Sequence, residues 1–102
     1  MFSHAELPVT FVRPLANITV TENQDIHLEV EVSKPNKNAQ WFKDDKPVNA
    51  EARIKLTSDG KVHCLDIASA ELDDEAVYKV VVEGAESSAE VLVDGEIFIA
   101  SL

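Results

Sequence analysis

The sequence predicts an all-β fold in which two sheets pack face to face as a sandwich. Three observations carry that expectation. Apolar residues recur with a period of two along several short runs, no long stretch keeps a helical 3.6-residue period, and turn-forming clusters separate the runs at short, fairly even intervals. The chain has 102 residues, enough for one domain. A domain of this size buries somewhat above ~60% of the surface its unfolded chain exposes, so one core holds it without staples.

The first run, 9–12 (VTFV), lies between Pro8 and Pro14. Proline has no N–H to donate, which puts this strand at a sheet edge. A second strand covers 18–20 (ITV). The third, 26–32 (IHLEVEV), places Ile26, Leu28, Val30 and Val32 on one face and His27, Glu29 and Glu31 on the other, the alternation of a half-buried strand. Strands follow at 39–43, 54–57, 62–67, 76–82 and 87–93. Turn clusters lie between them: TENQD at 21–25, KPNKN at 34–38, KDDKP at 43–47, SDG at 58–60 and EGAESS at 83–88. One helical turn within SAELDDEA, 69–76, suits a connection that carries the chain between sheets.

Nineteen acidic against nine basic residues give a net charge of −10, and the basic ones are scattered singly. Nucleic acid and anionic lipid bind clustered Lys and Arg, so neither is an expected partner. No apolar run approaches the ~20 residues of a membrane-spanning helix. Cys64 is the single cysteine, so no disulfide forms within the chain. A small secreted domain ordinarily carries several, and their lack points to a reducing compartment. Cys64 is out of phase with Leu65 and Ile67, hence either covered by a neighbour or exposed as a free thiol. His63 is in phase with them and is expected to be partly buried, whereas His27 is expected to be exposed.

Local spacing offers no chemistry. His4, His27 and His63 lie far apart in sequence, and without a second cysteine no zinc motif forms, so no metal site and no cofactor are expected. The acidic pairs lack the alternating ligands and bend glycine of a calcium loop. Ser58, Ser87 and Ser88 have no recognisable base and orienter, so no enzyme activity is expected. Asn17-Ile18-Thr19 fits a glycosylation sequon, read here as the start of a strand.

One ordered set of residues is more specific. Trp41 stands eleven residues after Val30, and the segment CLDIASAELDDEAVYKV holds Leu65-x-Ile67, then Asp74-x-x-x-Tyr78, then Val80. This set resembles the intermediate-set immunoglobulin domain, over roughly residues 8–94. The resemblance implies that Val30 and Val80 face each other across the sandwich beneath Trp41, where many relatives carry a cystine. It also implies that Tyr78 forms a tyrosine corner, and that Arg53 partners Asp74. Ala76 stands where the family usually has glycine, a mild change if the backbone there is not left-handed. A bridge closing a loop of this length contributes about 4 kcal/mol in the chain-entropy model. Two buried valines return part of that, at up to roughly 1.5 kcal/mol or a little more each.

The phrases PLANITVTENQDIHLEVEVSKPNKNAQWFKDDKPV and RIKLTSDGKVHCLDIASAELDDEAVYKVVVEG resemble immunoglobulin repeats of the giant muscle proteins, those of titin above all. The resemblance implies a cytoplasmic, sarcomeric location and an extension at 1–7, a domain at 8–94 and a linker or tail at 95–102. It further implies a non-enzymatic mechanical module in a tandem array, next to other immunoglobulin or fibronectin-type domains. The expected core is Val30, Trp41, Leu65, Ile67, Tyr78 and Val80. The expected clamp is Ile18, Thr19 and Val20 against Val91 and Val93, which a proline at Val20 or Val91 should weaken. Asp73, Asp74 and Glu75 form a candidate docking turn for sarcomeric proteins, the function under the alternative of an obscurin-type or myosin-binding-protein-type module. Cell adhesion is a further alternative. Ile97, Phe98, Ile99 and Leu102 begin a linker, extend a strand edge or are foreign to the natural chain.

Overall fold

The computed structural model describes residues 8–95, so the tail residues Ile97, Phe98, Ile99 and Leu102 and the extension 1–7 lie outside it. Nine strands form: β1 (Phe11–Arg13), β2 (Ile18–Thr21), β3 (Ile26–Val32), β4 (Ala39–Lys43), β5 (Lys46–Pro47), β6 (Ile54–Asp59), β7 (Val62–Ile67), β8 (Ala76–Val82) and β9 (Ala85–Asp94). A single 3₁₀ turn, Leu72–Asp74, carries the chain from β7 to β8. A four-stranded sheet has the order β1-β3-β7-β6, and a five-stranded sheet the order β2-β9-β8-β4-β5. The 3₁₀ turn is thus the crossing between sheets that the SAELDDEA segment suggests.

The period-two patterns become the inner faces. Ile26, Leu28, Val30 and Val32 of β3 are buried, as are Leu65 and Ile67 of β7 and Tyr78, Val80 and Val82 of β8. Val30 and Val80 belong to opposite sheets and each is 0% exposed. Trp41, 3% exposed, pairs directly with Val80 across β4 and β8. These residues join one hydrophobic cluster with Val91 and Val93, and hydrocarbon burial at ~25 cal/mol per Å² is its main driving force.

Several strand limits differ from the sequence expectation. β1 begins at Phe11, not Val9, and its pairing with β3 shifts register between Phe11 and Arg13. Val9 is nevertheless buried ahead of the strand. β9 begins at Ala85, inside what reads as a polar turn. Glu83 and Gly84 both have positive φ, which makes a tight two-residue hairpin with Val82 facing Ala85, and Glu86 and Ser88 then point outward. Asp44 and Asp45 form a similar loop, with φ of 48° and 68°. That loop creates β5, a two-residue strand ending on Pro47 that the sequence pattern does not reveal. β2 and β6 also run one and two residues further than their apolar patterns. Ala76 does not have positive φ, so the missing glycine costs nothing in backbone strain.

Candidate functional site

The chain's outer strands meet at the side of the five-stranded sheet. β2 runs parallel to β9, in the register Ile18↔Val91, Thr19↔Leu92, Val20↔Val93 and Thr21↔Asp94. Asn17 Oδ1 accepts the Glu90 N–H at 2.8 Å at one end of the pair, and Asp94 O accepts the Glu22 N–H at 2.7 Å at the other. Thr21 donates its N–H to Gln24 Oε1, away from β9. Successive N–H groups of a strand point to opposite sides, so Val20 donates toward β9 and Thr19 away from it. On β9, Glu90 points at Asn17 and Val93 donates to Glu75 Oε1. By the same alternation Leu92 faces β2, whereas Val91 faces β8. The expectation for a proline at Val91 is corrected accordingly: its donor belongs to the neighbouring ladder.

The acidic turn at 73–75 does not form one exposed face. Asp74 is 6% exposed. Its Oδ2 accepts from Arg53 Nη2 at 2.6 Å and from the Glu71 N–H at 2.8 Å, and its backbone carbonyl accepts the Tyr78 hydroxyl at 2.5 Å. Arg53 also donates to the carbonyls of Ala68 and Ser69, tying β6 to the end of β7. Burial raises the Tyr78 phenol well above its ordinary range. Asp73 is exposed, and its carbonyl accepts Lys43 Nζ at 2.6 Å. Glu75 is exposed but spends one carboxylate oxygen on Val93. The three residues therefore differ in kind, because the 3₁₀ turn rotates Asp74 inward.

His63 is fully buried, more than its phase with Leu65 suggests. Ser58 Oγ lies 2.7 Å from its Nδ1, and Nε2 has no hydrogen-bond partner among the described residues. Burial lowers its pKa. Ser58 thus meets an imidazole that local sequence does not reveal. Among the described residues no carboxylate orients the pair, and its ring is enclosed in the core.

On the outer face of the four-stranded sheet, His27, Glu29 and Cys64 bring donor atoms within 4.8 Å of one another. His27 Nδ1 contacts Asp66 Oδ1 at 2.5 Å and Nε2 contacts Glu29 Oε1 at 3.0 Å. Arg13 Nη2 lies 2.6 Å from Glu29 Oε2. Hydrogen bonds from His27 and Arg13 hold the Glu29 carboxyl down to about 2, and those that His27 donates to Asp66 and Glu29 raise the imidazole. Burial, then the Glu29 charge, pushes the Cys64 thiol up. Sequence spacing misses this group because its members come from paired strands: Glu29 faces Cys64 and His27 faces Asp66.

An immunoglobulin I-set domain profile matches residues 9–94. The chain is 41% identical over 91 residues to fast-type myosin-binding protein C of Gallus gallus, covering 87% of this chain and 8% of that protein. It is 37% identical over 89 residues to titin of Drosophila melanogaster, covering 87% of this chain and, to the nearest per cent, 0% of titin. It is also 39% identical over 75 residues to the muscle M-line assembly protein unc-89 of Caenorhabditis elegans, covering 72% of this chain and 1% of that protein. The chain thus spans a small fraction of the length of the curated relatives it matches. Among solved structures, domain I10 of titin superposes with a TM-score of 0.82 at 28% identity, covering 85% of this chain and 99% of that one.

Proposed function

From the premise that this chain belongs to the immunoglobulin I-set family, we propose that it is a mechanical module of a tandem array in a giant muscle protein, working in the cytoplasm at the sarcomere. The observation that carries this reading is the parallel pairing of β2 with β9. Tension that enters ahead of β2 and leaves after β9 pulls the two strands along their length in opposite directions. Their hydrogen bonds then share the load and must break together. Each bond contributes only ~1 kcal/mol net at equilibrium, so the resistance is kinetic, a high unfolding barrier and not exceptional stability. Of the expected clamp residues Ile18, Thr19, Val20, Val91 and Val93, Ile18 and Val20 direct donors at β9, and Leu92 adds one that faces β2. Thr19, Val91 and Val93 hold the paired register with their own donors aimed elsewhere. Similarity to myosin-binding protein C, titin and unc-89 supports the muscle setting. On this reading residues 8–94 are the module, 1–7 an extension and 95–102 a linker or tail.

Single-molecule pulling tests the reading. We expect unfolding at high force as one step, with the force reduced when Val20 is replaced by proline. Unfolding at low force in the parent chain would overturn it.

A second reading, docking of another muscle protein, is supported by the exposed turn that sets Leu72 (52% exposed) between Glu71 and Asp73. An acidic rim around an apolar residue suits a basic, partly apolar partner. Asp74 is excluded from that surface by its burial. Charge reversal at Glu71 and Asp73 should remove a partner captured from muscle extract, and capture that survives it refutes this reading.

A further inference from the structure

We propose that the outer face of the four-stranded sheet carries a zinc-binding site formed by His27 Nε2, Glu29 Oε1 and Cys64 Sγ. Nε2 and Oε1 are 3.0 Å apart, Sγ and Oε1 3.7 Å, and one donor atom from each of the three residues lies within 4.8 Å of the other two. A tetrahedral ion with bonds of about 2.0–2.3 Å separates its ligand atoms by roughly 3.3–3.8 Å, so modest side-chain movements complete the arrangement. The positions are fixed by the sheet: His27 and Glu29 are alternate residues of β3, and Cys64 is the direct partner of Glu29 on β7.

The donor set selects the metal. Imidazole, carboxylate and thiolate together suit Zn²⁺, whereas Ca²⁺ and Mg²⁺ call for oxygen donors alone. The surrounding groups orient the ligands. Asp66 Oδ1 sits 2.5 Å from His27 Nδ1, the nitrogen away from the site, and fixes the tautomer that turns the Nε2 lone pair toward the ion. Arg13 holds Glu29 Oε2 at 2.6 Å and leaves Oε1 available. The side chains of His27 and Glu29 are 54% and 32% exposed, so an ion reaches them from solvent. Zinc takes the place of the Cys64 thiol proton and of any proton on Nε2, and water completes the fourth position. The ion would join β3 to β7 by their side chains and shield the thiol.

Cobalt(II) and zinc(II) titrations of the reduced chain test the site. Cobalt should produce a thiolate charge-transfer absorption that zinc displaces, and zinc should slow alkylation of Cys64. Cys64→Ser should abolish the absorption. Asp66→Asn, which removes no ligand, should keep the absorption at saturating cobalt but weaken zinc binding about 10–100-fold. The proposal fails if zinc leaves alkylation unchanged, if Cys64→Ser binds zinc as tightly as the parent, or if Asp66→Asn binds with parental affinity. Circular dichroism of the metal-free variants separates loss of ligation from loss of fold.

Discussion

Replacing Val20 with proline removes one N–H aimed at β9 from a pair only four register positions long. The opposing carbonyl loses its partner, a change of about 1–3 kcal/mol. If the pair breaks in the transition state for forced unfolding, the whole loss appears in the unfolding rate. With RT near 0.59 kcal/mol, the domain should unfold about 5- to 150-fold faster at a given force. Thr19→Pro is the matched control. Its N–H points away from β9, and β2 is an edge strand where proline is tolerated. Constant-force pulling of the chain between reference domains measures both variants. Thr19→Pro should stay close to the parent. Parental kinetics for Val20→Pro, or equal acceleration by both substitutions, would refute the assignment of donors and the sharing of load between them.

Asp74→Ala should lower stability by about 1.5–3 kcal/mol in denaturant unfolding, since it strands the Arg53 guanidinium and the Glu71 N–H. Tyr78→Phe should cost about 1 kcal/mol at neutral pH through loss of the bond to Asp74 O. It should also flatten alkaline denaturation: above about pH 10 the unfolded chain ionises its tyrosine while burial keeps the folded phenol protonated, so stability falls as pH rises. An unchanged alkaline slope in Tyr78→Phe would contradict that origin. The pair Val30→Cys and Val80→Cys, oxidised, should gain up to about 4 kcal/mol over the reduced form, read from chemical unfolding of the two forms. Failure of the two thiols to join would mean that these positions do not approach closely across the sheets.

The architecture was legible because burial on one side of a strand writes itself into the sequence. Ile26 to Val32 alternates cleanly in sequence, and Ala76 to Val82 reads as an apolar run whose alternation shows only in burial, with Val77 exposed; both strands keep the limits their patterns imply. Where polar residues enter a strand the pattern fades. β9 gains its first residues, Ala85 and Glu86, from the Glu83-Gly84 hairpin and not from any apolar rhythm. β5 owes its existence to Asp44 and Asp45, whose left-handed backbone is a turn property. The partners of side chains were less legible than the strands that hold them. Asp74 reads as one acid among three until the 3₁₀ turn directs it inward, and the His27–Glu29–Cys64 group emerges only once strand register is known.

The edges of the two sheets bear on the tandem array proposed above. A chain of linked domains keeps each one at high local concentration, and strand exchange during refolding is the hazard. One border of each sheet is blunted: β1 is three residues long with a broken register, and β5 is two residues ending on proline, whereas the opposite borders, β6 and β2, run six and four residues. The blunted borders give an incoming strand little to template on. In the proposed array, a net charge of −10 would add mutual repulsion between similar neighbours and so oppose strand exchange at the longer borders.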